Sequence, residues 1–256
     1  MNGRFQNDEW LSWPQCRAVM AALHDGAGGE VVARYVGGAV RDALIGRPVR
    51  DIDIATSLTP DAAALKLVAR GLKVVPTGID HGTITAIADG RTFEITTLRR
   101  DVETDGRHAT VAFTGDWRED AARRDFTMNA IYADADGHLF DPFDGYQDLV
   151  AGRVRFIGDP AARIAEDALR ILRFFRFHAW YGPDEGTGPM DAAGLAACRA
   201  WVARLAILSR ERVRDEILRL LGAPNPGPTV AVMMQAGVMP AVLPEAVLVD
   251  RLDGLV

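Results

Sequence analysis

Residues 35–56 read YVGGAVRDALIGRPVRDIDIAT. EVVARYVGG, at 30–38, has the pattern of a short buried strand that runs into a turn at Gly37-Gly38. AVRDALIG fits one short helix closed by Gly46. VRDIDIAT alternates strictly between apolar and polar residues, which is the period of a strand. Ile52 and Ile54 then point one way and Asp51 and Asp53 the other. Two carboxylates on one strand face repel each other unless water or a cation lies between them. Either this is a solvent-facing polar strand edge, or the pair holds a hard divalent cation such as Mg²⁺, which takes carboxylate oxygens and keeps positions for water and phosphate. A glycine pair between strand and helix lets backbone N–H groups approach a phosphate with no side chain in the way. Arg41, just inside the helix, is within reach of the same phosphate. Strand, Gly-Gly, helix and Asp-x-Asp strand together describe a site that grips a triphosphate and supplies metal ligands beside it. A two-metal phosphoryl-transfer site calls for a third carboxylate. Glu94, in TFEITTL with Phe93 and Ile95 on the opposite face, is the candidate; the alternative is an ordinary exposed strand residue.

The 256 residues suffice for one large domain or two modest ones, and 48% hydrophobic with 25% charged residues is ordinary for a globular protein. No apolar run approaches the roughly 20 residues of a membrane span, and MNGRFQNDEWLSWPQ has no signal-peptide core, so the expectation is a cytoplasmic protein with no membrane partner. Cys16 and Cys198 are far apart, which argues against a disulfide framework and a structural zinc site. A net charge of −6 argues by itself against nucleic-acid binding. Placement counts for more: residues 151–222 hold 12 arginines against 9 acids, an excess suited to phosphate contacts. The sequence gives no signal for an oligomeric state.

Working outward, a helix is expected over 8–25, ended by DGAGG. TPDAAALKLVARG starts a further helix with a Thr cap and a Pro in the first turn. LKVVPTG, GTITAIADG and TFEITTLRR read as strands, the last two joined by a hairpin at Asp89-Gly90. DVETDGRHATVAFTGDW has no period and reads as a mobile loop. REDAARRDFTMNAIYAD is helical at its start, and ADGHLFDPFDGYQDL mixes a tight turn with a short strand. From about residue 151, helical patterns follow over 160–181, 190–206 and 209–222 without intervening strands, then a linker at GAPNPGPT and a last apolar segment. Such segregation indicates α+β or two domains. From Asp159 to Ala179 one amphipathic helix is expected, with Ile164, Ala168, Ile171, Leu172 and Phe175 on one side and Arg163, Glu166, Asp167, Arg170 and Arg173 opposite, Arg176 at the margin. Salt bridges such as Asp167–Arg170 and Glu166–Arg170 would account for the wet face.

Residues 35–56 resemble the nucleotidyltransferase motif of class II tRNA nucleotidyltransferases, the CCA-adding enzymes, and of the related bacterial poly(A) polymerases. RRDFTMNAIY at 123–132 is similar to their second motif, and DPFDGYQDL at 141–149 and EDALRILRFFRF at 166–177 resemble later ones. The resemblance implies an α+β fold: a polymerase-beta-like nucleotidyltransferase head over 1–150, a mixed sheet with helices; an all-helical neck over 151–222 that carries a nucleotide-selecting helix; and over 223–256 the start of a helical body that is cut short. It implies addition of C and A from CTP and ATP to a tRNA 3′ end, with Mg²⁺ held by the catalytic pair Asp51 and Asp53. The RNA 3′-hydroxyl attacks the α-phosphate and pyrophosphate leaves. Nucleotide contacts are implied for Gly38, Arg41, Arg124, Asp167, Arg170, Arg173 and Arg176, the last two meeting the triphosphate or ordering their helix. Asp125 is expected to cap or brace its segment. Asp167 and Arg170 would mimic a Watson–Crick partner: Asp accepts from the exocyclic amine that C and A possess and U lacks, and Arg donates to a ring acceptor. The segment 101–115 corresponds to a flexible loop involved in the switch from C to A addition. Poly(A) polymerases and A-adding or CC-adding enzymes share these motifs, although VPTGIDHGTITAI at 75–87 is closer to the CCA-adding pattern. A catalytically silent RNA-binding module is the alternative from another class.

Overall fold

The computed structural model describes residue 5 and residues 9–104 and 109–245, with the side chains of 80, 101–111 and 185 left aside. The chain divides into two compact units. The first holds the described residues up to 104, 109–124 and 128–146; the second holds 125–127 and everything from 147.

In the first unit a single 3₁₀ turn, Glu9–Ser12, precedes α1, Pro14–Leu23. The helix expected from residue 8 begins at Pro14 because a proline, lacking an N–H, fits a first turn and interrupts anything earlier. Next come β1 (Ala33–Val36), α2 (Gly38–Leu44), β2 (Ile52–Thr56), α3 (Pro60–Ala69), β3 (Lys73–Gly78), β4 (Thr83–Ala88) and β5 (Arg91–Thr97). Thr59 caps α3 as its sequence indicates, its Oγ1 accepting the N–H of Ala62 at 3.3 Å. β4 and β5 join through Asp89 and Gly90, both at positive φ (44° and 79°), the turn whose twist suits a two-residue hairpin. The unit continues through β6 (Arg99–Thr104), β7 (Ala109–Phe113), α4 (Trp117–Ala122), β8 (Tyr132–Ala133) and β9 (Leu139–Phe140).

Seven strands form one mixed sheet in the order β3-β4-β5-β2-β1-β8-β9. β2 and β5 run parallel; every other neighbouring pair is antiparallel. Ile52, Ile54, Phe93, Ile95, Ile84 and Ala86 are buried, alternating with the more exposed Asp53, Glu94 and Thr85. The sheet therefore has an apolar core face and a face left for chemistry. α1 packs against α3 and β4, and α2 lies against β1 and β2.

The segment read as an aperiodic loop is a correction. Residues 99–104 and 109–113 pair as an antiparallel ribbon of their own, β6–β7. DVETDGRHATVAFTGDW keeps no sustained apolar–polar alternation, so its strands carry no period that marks them in sequence; 105–108 lie outside the described residues. TFEITTLRR is likewise two strands: Leu98, fully buried, separates β5 from β6 and donates its N–H to Thr56 at 2.7 Å.

α5, Gly145–Val150, spans the division between units. The second unit contains α6 (Pro160–Glu166), α7 (Leu169–Tyr181), α8 (Pro183–Gly186), α9 (Ala192–Ala200), a 3₁₀ segment at Val202–Ile207, α10 (Arg210–Leu221), α11 (Gly227–Gln235) and α12 (Val238–Val242). The expected linker shrinks to 222–226, since Gly227–Thr229 already belong to α11, and 246–256 lie outside the described residues. The core is aromatic: Phe126, Phe156, Phe174 and Phe177 form a chain of ring contacts, with Phe156 and Phe174 stacked at 5.6 Å. The helix expected over 159–179 is broken. Asp167 is extended (φ −149°, ψ 109°), ending α6, and its Oδ1 accepts the N–H of Leu169, which starts α7. An aspartate competes for backbone donors in this way, and with neither Gly nor Pro nearby the apolar period runs through the break unaltered.

Candidate active site

In the first unit Gly37 takes φ +73°, ψ −130°, a backbone open to glycine and strained for other residues. A Cβ there would lie 3.5 Å from Asp53 Oδ2 and 4.0 Å from Arg124 Nη1, so the turn, the second carboxylate of the Asp-x-Asp pair and the arginine converge. Val36 opposes Asp53 across the β1–β2 ladder, and Glu94 is Asp53's register partner across β2–β5. The register thus puts the exposed Glu94 on the face of Asp53. Asp51 is exposed and stands one residue before β2, not inside it. Burial, then the charge of Glu94, then that of Asp51, raise Asp53 to a pKa of about 6; Arg124 and Arg41 pull the other way without prevailing. An acid raised by burial and by two negative neighbours is one whose ionised form a cation beside it would stabilise.

The arginines are aimed by neighbours. Arg41 is buried; its Nη1 donates to Asn129 Oδ1 at 2.7 Å and its Nε to Asp42 at 3.1 Å, while Nη2 lies 3.7 Å from a Cβ on Gly38. Arg124 Nε donates to Tyr132 Oη at 3.1 Å and Nη2 to Asp120 Oδ2 at 3.3 Å. Asp120, 1% exposed, also accepts from Tyr132 Oη at 2.7 Å and Arg123 Nε at 2.8 Å. Burial alone would raise its carboxyl, but Arg124, Arg123 and Tyr132 outweigh it and hold it below the ordinary range. Sequence reasoning missed Asp120 and Tyr132 as the brace of Arg124. The Asp120-x-x-Arg-Arg spacing, one helical turn, was the available signal.

In the second unit Asp167 and Arg170 engage other partners. Asp167 Oδ2 accepts from Arg212 Nη2 at 2.7 Å. Arg170 Nη1 donates to Glu166 Oε2 at 2.5 Å and to the carbonyl of Arg163 at 2.9 Å. Of the two salt bridges expected from helical spacing, Glu166–Arg170 forms; the ion pair that Asp167 makes is with Arg212, 45 positions away. Arg173 is paired with Asp125 at 2.5 Å and lies 3.7 Å from Glu216; Arg176 donates to Glu216 at 2.5 Å and covers Phe177. Asp125 Oδ1 accepts the N–H of Phe126 in its own segment at 2.8 Å while its Oδ2 holds Arg173 of α7, and Glu216, 4% exposed, ties α10 to α7.

Among the described residues a different cluster, Asp134, Asp136 and His138, brings ligand atoms within 4.8 Å of one another. The β8–β9 turn accounts for it: Asp134 Oδ1 accepts the N–H groups of Asp136 and His138, each at 2.9 Å. No described helix is long and apolar enough to cross a membrane.

Residues 33–155 match the family described as the poly A polymerase head domain, and 190–248 the one described as a probable RNA and SrmB-binding site of polymerase A. The human mitochondrial CCA tRNA nucleotidyltransferase 1 is 47% identical over 73% of this chain and 43% of its own length. The Bacillus stearothermophilus CCA-adding enzyme, solved in complex with CTP, is 33% identical with a TM-score of 0.75, over 88% of this chain and 52% of that one. A tRNA nucleotidyltransferase solved with a primer tRNA and an incoming ATP analog is 26% identical with a TM-score of 0.69, over 83% of this chain and 59% of that one. The chain spans just under half the length of the curated relatives it matches.

Proposed function

Because the chain belongs to the family of tRNA nucleotidyltransferases and poly(A) polymerases, we propose that it adds C and A, from CTP and ATP, to the 3′ end of a tRNA. The observation that carries this reading is the convergence of Gly37, Asp53, Glu94 and Arg124 on one face of the sheet, with Asp51 and Arg41 acting electrostatically on the same carboxylate. The relatives solved with CTP and with tRNA and an ATP analog support the choice of substrates.

Nucleotidyl transfer in this family generally depends on a divalent metal. Asp51 and Asp53 would hold Mg²⁺, which supplies charge neutralisation at the attacking hydroxyl and the departing pyrophosphate. The chain's own part is positioning. The glycine turn gives the phosphates an approach unobstructed by side chains. Arg124, fixed by Asp120 and Tyr132, and Arg41, fixed by Asn129 and Asp42, present cationic charge without reorganising during the reaction. Gly38 keeps the space beside Arg41 clear. Asp167 and Arg170 read the base edge, and Arg173 and Arg176, bound to Asp125 and Glu216, order the helix from which Arg170 reads. No covalent nucleophile is needed, because in-line displacement at phosphorus is governed by alignment and charge. The free, buried cysteines Cys16 and Cys198 suit a reducing compartment, and the cytoplasm is part of this reading.

The test is incorporation of labelled CTP and ATP, separately and together with Mg²⁺, into tRNA lacking its 3′ end. C followed by a single A, lost in the Asp51→Ala/Asp53→Ala variant, is the expected product. Long A tracts without C would make the chain a poly(A) polymerase; no incorporation and no nucleotide binding would refute the reading.

A further inference from the structure

If Asp167 separates C and A from U, whatever aims its carboxylate sets that choice. Asp167 is extended between α6 and α7, so helix geometry does not hold its side chain. Two contacts do: Oδ1 accepts the N–H of Leu169 at 3.0 Å, and Oδ2 accepts from Arg212 Nη2 at 2.7 Å. Arg212 sits in the first turn of α10, where Ser209 Oγ accepts its backbone N–H at 3.4 Å. Both side chains border a cavity of about 410 Å³, shared with Glu166, Ala168, Arg204 and Leu208.

The exposure of this pair is informative. Arg212 is 47% and Asp167 34% exposed, and ion pairs so open to water add little to stability. The contact does remove rotational freedom from a carboxylate that must offer its lone pairs in a fixed direction. An ionised carboxylate has about four acceptor positions. The two in use fix its plane and leave others for an incoming donor.

We propose that Arg212 is a specificity-determining positioning residue: it anchors Asp167 Oδ2 so that the remaining lone pairs meet the exocyclic amine of C or A. The inference rests on the reading of Asp167 as the base-selecting residue. It names a residue on another helix, outside the local pattern around Asp167.

The test uses equilibrium binding of CTP, ATP and UTP, each with Mg²⁺, to the full chain and to the Arg212→Ala, Arg212→Lys and Asp167→Ala variants, with melting temperatures alongside. Arg212→Ala is expected to weaken CTP and ATP binding roughly tenfold, the scale of losing one orienting contact, and to leave UTP nearly unchanged. Its preference over U collapses toward that of Asp167→Ala while its melting temperature stays at the wild-type value. Arg212→Lys, which keeps the charge, restores most of the preference. Wild-type preference in Arg212→Ala, beside its loss in Asp167→Ala, would overturn the role of Arg212 alone. A uniform loss for all three nucleotides with a lowered melting temperature would make Arg212 merely structural and overturn it too. Preserved preference in Asp167→Ala would remove the underlying reading of Asp167, and the proposal with it.

Discussion

The two units treat charge in opposite ways. In the first, Asp53 is buried beside Glu94 and Asp51, and the arginines nearby do not offset the repulsion. In the second, the ionic residues along α6 and α7 have settled on protein partners: Arg170 on Glu166, Asp167 on Arg212, Arg173 on Asp125 and Arg176 on Glu216. A carboxylate cluster left under its own repulsion is a standing demand for a cation, and it costs stability until one arrives. A helix whose charges are satisfied is stable without ligand, and in the proposed function it would read a base by adding contacts to side chains already aimed. One region stores electrostatic work; the other stores orientation.

The sharpest way to break this contrast is to remove the charge from Asp53. Asp53→Asn should reduce nucleotide incorporation by at least about 10³-fold, the scale of losing a main electrostatic contributor to the transition state. In metal-free buffer the same variant should be more stable than the wild type. An acid whose pKa is raised to about 6 in the fold favours its protonated form there, so the ionised site is penalised above pH 6. The stability advantage of Asp53→Asn should therefore be on the order of 3 kcal/mol above pH 6 and fade as pH falls toward 4, by chemical denaturation across that range. An advantage independent of pH would break the account of Asp53.

Glu216→Ala should do the reverse, destabilising by about 3 kcal/mol, because it strands Arg176 beside a buried vacancy while Arg173 keeps Asp125. Thermal unfolding would show this, and no dependence on Mg²⁺ is expected of it. Gly37→Ala should cost about 1–3 kcal/mol from its backbone conformation alone, the added methyl meeting Asp53 Oδ2 at ordinary contact distance. Glu94→Gln should have the smallest effect. With one negative neighbour gone, Asp53 titrates at lower pH, an NMR-visible shift, while the fold is unchanged.

Much of the first unit was legible because local signals coincide with the tertiary result. The Thr59 cap, the Asp89-Gly90 hairpin and the alternation of β2, β4 and β5 each say in sequence what the sheet enforces in space. The face shared by Asp53 and Glu94 follows from the same alternation. Their register match across parallel strands does not, since a crossover connection leaves no mark of register. The break at Asp167 was hidden because an aspartate can cap a helix without disturbing the apolar period on either side. Arg212, Glu216 and the Asp120–Tyr132 brace were hidden because each contact joins elements whose pairing only the fold decides.

The most direct measurement is a calorimetric titration of CTP, with and without Mg²⁺, into the wild-type chain and Asp53→Asn. The account predicts Mg²⁺-dependent binding in the wild type and no Mg²⁺ dependence in the variant. Equal Mg²⁺-dependent binding by both would contradict it, and would remove Asp53 from the metal and nucleotide site.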